Sequence, residues 1–382
     1  MNLIEFKQEV INIIRANIQM ARDGLGPEHY LVPCGMSAPG VGKTAVFHEV
    51  VQELGTEGSD VFFPNQEPRH WELITHDLRT ENPLDFAGMP YSEGKTSGTC
   101  RPDWIPKTGM KIIFLDELNQ ASTPILNVAA TLIQIQKVGS HEMPRGCMIA
   151  AAGNPPKTVA GVRPMPEHTI NRMVIFDIQA DLNVWLLKAT TSNVDPRIIS
   201  FLMRKPERLE QKNRMTEPGP FPSPRAWIAA SKLINLPPTP WTINQKNADK
   251  KNMEQHILRQ RIASTVGQET ANEFMEHITF LENFNDIKNI IQDPENAKIP
   301  KSLQEVAAIC NALAENIQKT DKNFHSILTW TRRLQSSEWS AIMINIGAHH
   351  HDSIKQSREY IEFNSEISNI MMNEYTRSKE AA

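Results

Sequence analysis

SAPGVGKT, residues Ser37–Thr44, follows a short apolar run over Tyr30–Val32 and opens a helical pattern. A strand, a glycine turn and Lys-Thr at a helix start are how a chain holds the phosphates of a nucleoside triphosphate. The candidate cradle is Ala38, Pro39, Gly40, Val41 and Gly42, with Lys43, Thr44 and Ala45 at the helix start. Backbone N–H groups there converge on the phosphates, Lys43 adds a point charge, and the Thr44 hydroxyl can ligate Mg2+. Gly-Lys followed by Ser or Thr arises by chance in roughly one chain in five of this length; Pro39 and Gly40 at fixed offsets cut that to roughly one in a thousand. The first glycine of the usual G-x4-GK[ST] pattern is missing, since Ser37 stands there.

The chain has 382 residues, enough for two or three domains. Lys plus Arg number 40 against 44 for Asp plus Glu. Without a basic excess or a long charge run, a dedicated nucleic-acid binder is disfavoured. The four cysteines, 34, 100, 147 and 310, show no metal-ligand spacing and no disulfide framework, which fits a reducing cytoplasm. The first residues form an amphipathic helix (Phe6, Val10, Ile13; Ile11, Ile14, Ile18) rather than a signal peptide. No stretch approaches the ~20 apolar residues of a membrane span.

From residue 30 to about 180, short apolar strands alternate with helices. WELITHDL (71–78), KIIFLD (111–116), CMIAAAGN (147–154) and MVIFDI (173–178) read as strands. The last three are continuous apolar runs, the pattern of strands covered by helices on both faces. Thr123 to Val138 reads as a helix with Ile125, Val128, Ala129, Leu132 and Ile135 on one face. The expected fold class is α/β, a three-layer αβα core with a parallel sheet, followed by an all-α lid and a C-terminal helical extension. The expected domains are 1–181, 182–290 and 291–382. Pro237 to Lys251 reads as an exposed loop, and Thr376 to Ala382 as a fraying end.

Chemistry-bearing residues follow in order. Asp116 and Glu117 end an apolar strand, where ligands sit in an open α/β sheet. Asp116 can support Mg2+, and Glu117 can polarise an attacking water. Asn154 ends the next apolar strand; it either orients that water or simply starts the Pro155-Pro156 turn. Arg172 precedes the last strand, and Arg225 opens a helix in the all-α part. Each is either a surface arginine or a cation aimed at a γ-phosphate, where such fingers contribute ~10³–10⁵ in rate.

With these residues laid out, the chain resembles an AAA+ ATPase, most of all the MoxR-like, dynein-related branch. SAPGVGKT resembles the family's Walker A, IIFLDELNQA its Walker B, AAGNP its sensor 1, INRM its arginine-finger segment and SPRA its sensor 2. The match runs from about residue 25 to 235. Leu78 to Pro106 resembles the insert this branch carries between its second and third strands, and 138–146 the hairpin before sensor 1. The resemblance implies ATP and Mg2+ as cofactors, held by Lys43, Thr44 and Asp116. It implies Glu117 as catalytic base, Asn154 as water-positioning residue, Arg172 as a finger reaching a neighbour's site and Arg225 as a lid sensor acting in cis or in trans. A homo-oligomeric ring, most often a hexamer, follows from a finger in trans. A von Willebrand A-type, metallopeptidase-like partner and a protein client are implied too. The chain departs from the pattern at Ser37, and at Gln120, where an arginine often follows the Walker B asparagine, here Asn119.

Three other functions compete with remodelling of a protein client. A nucleic-acid motor would use the basic cluster Arg204, Lys205, Arg208, Lys212 and Arg214, which otherwise is a solvated loop face beside Glu207 and Glu210. An assembly module would bind ATP and barely turn it over, against the presence of Glu117 and Arg172. A small-molecule kinase fits the Asp116-Glu117 pair poorly. His349-His350-His351 point about 100° apart on a helix and cannot converge on one ion unaided, so they read as a polar face.

Overall fold

The computed structural model describes residues 1–94, 96–155, 165, 167–192, 194–211, 219–237, 247–282, 287–300, 303–334, 337–357 and 360–361. They form two units, one over Met1–Gln179 and one taking up at Ala180.

Along the first unit the strands are β1 (Val32–Met36), β2 (Glu72–Asp77), β3 (Pro90–Glu93), β4 (Thr96–Thr99), β5 (Lys111–Asp116), β6 (Lys137–Val138), β7 (His141–Glu142), β8 (Cys147–Gly153) and β9 (Met173–Asp177). Five make one parallel sheet in the order β2-β5-β8-β1-β9. Side chains alternate across the sheet, so each strand feeds two layers. Ile113 and Leu115 of β5 join an apolar cluster with Ile125, Leu126 and Ala129 of the helix Thr123–Ile135. Phe114 points the other way, its ring 4.2 Å from Phe47 in the helix Lys43–Leu54. Phe6 of the helix Leu3–Arg22 meets Phe47 edge-on at 5.9 Å and Phe176 of β9 at 5.7 Å. Helices thus cover both faces, as the apolar runs of β5 and β8 predict.

Three local expectations change. β9 lies at the sheet edge, so its run is not buried on both faces: Ile175 is 40% exposed. The helix after Ser122 stops at Ile135, because Gln136 turns left-handed at φ 52 and the next residues pair as the β6–β7 hairpin. Of the loop expected over 237–251, residues 247–251 instead begin a helix, Asn247–Val266, and 238–246 lie outside the described residues. Prolines bar a helix only as far as Pro240, and none follows before residue 266.

The segment between β2 and β5 holds a short helix, Pro83–Ala87, and the β3–β4 hairpin. Phe86 and Trp104 stack at 5.1 Å, and the Trp104 indole donates to the Phe86 carbonyl at 3.0 Å. These contacts fold the insert against its own base.

The second unit is helical among the described residues, from Leu182–Thr191 to Asp352–Lys355. One apolar cluster, including Phe201, Trp227, Phe274, Leu313, Trp330 and Trp339, runs across the boundary expected near 290. Thr376 to Ala382 lie outside the described residues. Among those residues no helix is long and apolar enough to cross a membrane.

Candidate active site

The sheet order decides what can meet. All five strands run the same way, so their carboxyl ends share one edge. β8 lies between β1 and β5, which sets Asn154 between the glycine loop after β1 and the carboxylates after β5.

The loop is tied down where it leaves β1: Ser37 N donates to Gly153 O at 3.2 Å. Gly40 and Gly42 sit at φ 85 and 119, left-handed angles that glycine adopts without steric cost. Lys43, first residue of its helix, is buried. Its Nζ donates to Ser37 O, Ser37 Oγ and Asn154 Oδ1, each at 3.0 Å. Ser37, in the place of the missing glycine, therefore supplies two of the acceptors that hold the lysine. Thr44 Oγ1 donates to Asp116 Oδ2 at 2.8 Å.

Asp116 Oδ1 accepts the Glu117 N–H at 2.9 Å. Glu117 is itself left-handed, φ 55, and starts the 3-10 turn Leu118–Gln120. Its Oε2 accepts from Asn154 Nδ2 and, at 2.7 Å, from Gln120 Nε2. Its Oε1 faces Arg79 Nη1 at 4.0 Å. Arg79 is gripped by Asp77 at the end of β2 through two bonds of 2.9 and 2.7 Å. Asn119 and Asn154 clasp reciprocally: Asn154 N donates to Asn119 Oδ1 at 3.1 Å, and Asn119 Nδ2 to Asn154 O at 2.6 Å. Burial pushes the Glu117 carboxyl above its ordinary value; Lys43 and Arg79 pull it down, while Asp116 and Asp77 push it further up. A carboxylate raised in this way is a better proton acceptor.

Asn154 leads into Pro155 and also carries side-chain contacts within the cluster. The residue is fully buried, with its Oδ1 on Lys43 and its Nδ2 on Glu117. Arg79, Asp77, Asn119 and Gln120 complete the surroundings; motif reading passed over Arg79 and Asp77, and treated Gln120 only as a departure. A charged pair at the end of the strand adjoining β5 was the available signal.

Arg172 is not part of this cluster. β9 pairs with β1 so that Met173 faces Val32 and Asp177 faces Met36. Arg172 therefore sits at the amino end of the sheet, about 20 Å along the strands from the glycine loop at the other edge. It is exposed. Arg225 is exposed in the first turn of the helix Pro224–Ile234, in the second unit, where Ser223 Oγ caps Ala226 N at 3.1 Å.

The residues fit a nucleotide and its metal. Lys43 is held by neutral acceptors that a phosphate oxygen can replace, and Thr44 and Asp116 offer adjacent hard oxygens of the kind Mg2+ takes. No group of three His, Cys, Asp or Glu suited to a metal occurs among the described residues. His349 and His350 are exposed, and His351 Nε2 lies 2.6 Å from Ile317 O. In the basic cluster, Lys205 pairs with Glu273, and Arg208 with Glu269 and Glu273. Its charge is thus partly neutralised within the fold, while Lys212 and Arg214 lie outside the described residues.

No protein-family model and no curated protein sequence matches the chain. Among solved structures it is similar to two variants of RuvB from Thermotoga maritima. One is 11% identical at a TM-score of 0.40, over 87% of this chain and 89% of that one. The other is 12% identical at 0.38, over 82% and 81%. Identities and scores this low assign neither family nor activity.

Proposed function

We propose that the chain is a Mg2+-dependent AAA+ ATPase of the MoxR-like kind, which forms a ring and uses ATP hydrolysis to remodel a protein client. One observation carries this: Lys43, Thr44, Asp116, Glu117 and Asn154 come from three adjacent strand ends and their loops and form a linked polar site. In this reading Lys43 exchanges its protein acceptors for phosphate oxygens, and Thr44 and Asp116 hold Mg2+. The metal neutralises phosphate charge. Glu117 takes the proton of the attacking water, which Asn154 orients.

Arg172 fits a finger for a neighbour because it stands at the edge of the sheet far from its own glycine loop. That supports a ring, a hexamer by family resemblance. A von Willebrand A-type partner and the sensor role of Arg225 rest on that resemblance alone. The test is phosphate release from ATP by the purified chain. Release that needs Mg2+ and is lost, together with ATP binding, in Lys43→Ala is expected. Release unchanged in Lys43→Ala would refute the assigned site.

A further inference from the structure

The two oxygens of Glu117 are not equivalent. Oε2 accepts from Asn154 Nδ2 and from Gln120 Nε2. Oε1 accepts no hydrogen bond among the described residues and looks toward Arg79 at 4.0 Å. The asymmetry starts in the backbone. Left-handed Glu117 leads straight into the 3-10 turn, and Gln120 N donates back to Glu117 O at 2.9 Å. That folds the Gln120 side chain over the carboxylate three residues earlier. Leu118 and Asn119 are buried, and Asn119 is clasped to the Asn154 backbone, so the turn is anchored.

We propose that Gln120 is a positioning residue of the hydrolytic site, which anchors Glu117 through Oε2 and leaves Oε1 to take the proton of the attacking water. The proposal rests on the ATPase reading above. In the step, a water O–H bond breaks toward Oε1 as the water oxygen bonds the γ-phosphorus. The bond from that phosphorus to the bridging oxygen breaks, and its electron pair leaves on ADP.

A single donor would let the carboxylate swing about one contact; two donors from different elements fix its orientation. Asn154 is also tethered to Lys43, and a phosphate that draws Lys43 away removes that tether. Gln120 has no such second duty among the described residues, so its hold on Glu117 persists when nucleotide enters. It is also neutral, and anchors the carboxylate without the charge of an arginine or lysine at that position.

The experiment compares ATP turnover by the full chain, Gln120→Met, Gln120→Glu and Glu117→Gln. Methionine keeps the length and deletes the donor; glutamate keeps the shape and sets a like charge against Glu117. Gln120→Met is expected to lower kcat roughly tenfold to a hundredfold. KM for ATP should stay within about twofold, and Tm within about 2 °C. Gln120→Glu should lose at least as much kcat. Parental kcat in Gln120→Met beside an inactive Glu117→Gln overturns the role of Gln120 and leaves the ATPase reading standing. A loss confined to KM, or matched by a fall in Tm, overturns it too. Parental turnover by Glu117→Gln removes the mechanism and this inference together.

Discussion

Ser37 shows how one side chain absorbs a departure from a motif. Where a glycine is usual, its carbonyl and hydroxyl both accept from Lys43, so the lysine is satisfied while buried. His277 is a buried titratable group of the second unit. Its Nε2 lies 2.8 Å from Ser200 Oγ and its Nδ1 3.5 Å from Arg204 Nη1. Burial, and then Arg204, lower its pKa to about 4. The unfolded chain binds this proton near pH 6.5, as an unperturbed histidine does. This contribution is therefore fully present above about pH 6.5 and is lost as pH falls toward 4. Between pH 7 and 5 the loss comes to about 2 kcal/mol. Urea denaturation of the parent and of His277→Gln at both pH values checks it. The parent should lose about 2 kcal/mol more than the variant, and equal losses would contradict the assignment.

At the scale of elements, β5 and β8 were plain from the sequence because helices bury both their faces, and an apolar run of strand length has few other uses. The site residues at their ends were legible for the same reason, since a polar residue closing an apolar run stands out. Edge status was not legible. MVIFD looks as buried as KIIFLD, but β9 lies outermost beyond β1, and a strand's neighbours are set by long-range pairing that its own residues do not encode. Nor could spacing alone show Gln120 over Glu117, which depends on a left-handed backbone at a glutamate, a conformation such residues rarely adopt. The helix at Asn247–Val266 was obscured by composition, because its polar start resembles a loop.

For the whole molecule, the division at Gln179 and Ala180 gives the sheet and the helical unit separate cores. Arg172 belongs to the sheet unit and stands at the edge opposite the glycine loop; in the proposed reading it serves a neighbouring copy. Arg172→Ala should keep ATP affinity and lose turnover. Mixed with Lys43→Ala subunits, it should regain part of the rate, because an intact finger then meets an intact nucleotide site. No recovery in mixed assemblies would count against action in trans. Whether Glu117 is the base of an ATP-hydrolysing site is decided by turnover of Glu117→Gln, with ATP affinity determined alongside. Steady turnover is expected to fall by roughly a hundredfold or more, with ATP binding preserved. Turnover at the parent rate would contradict this role.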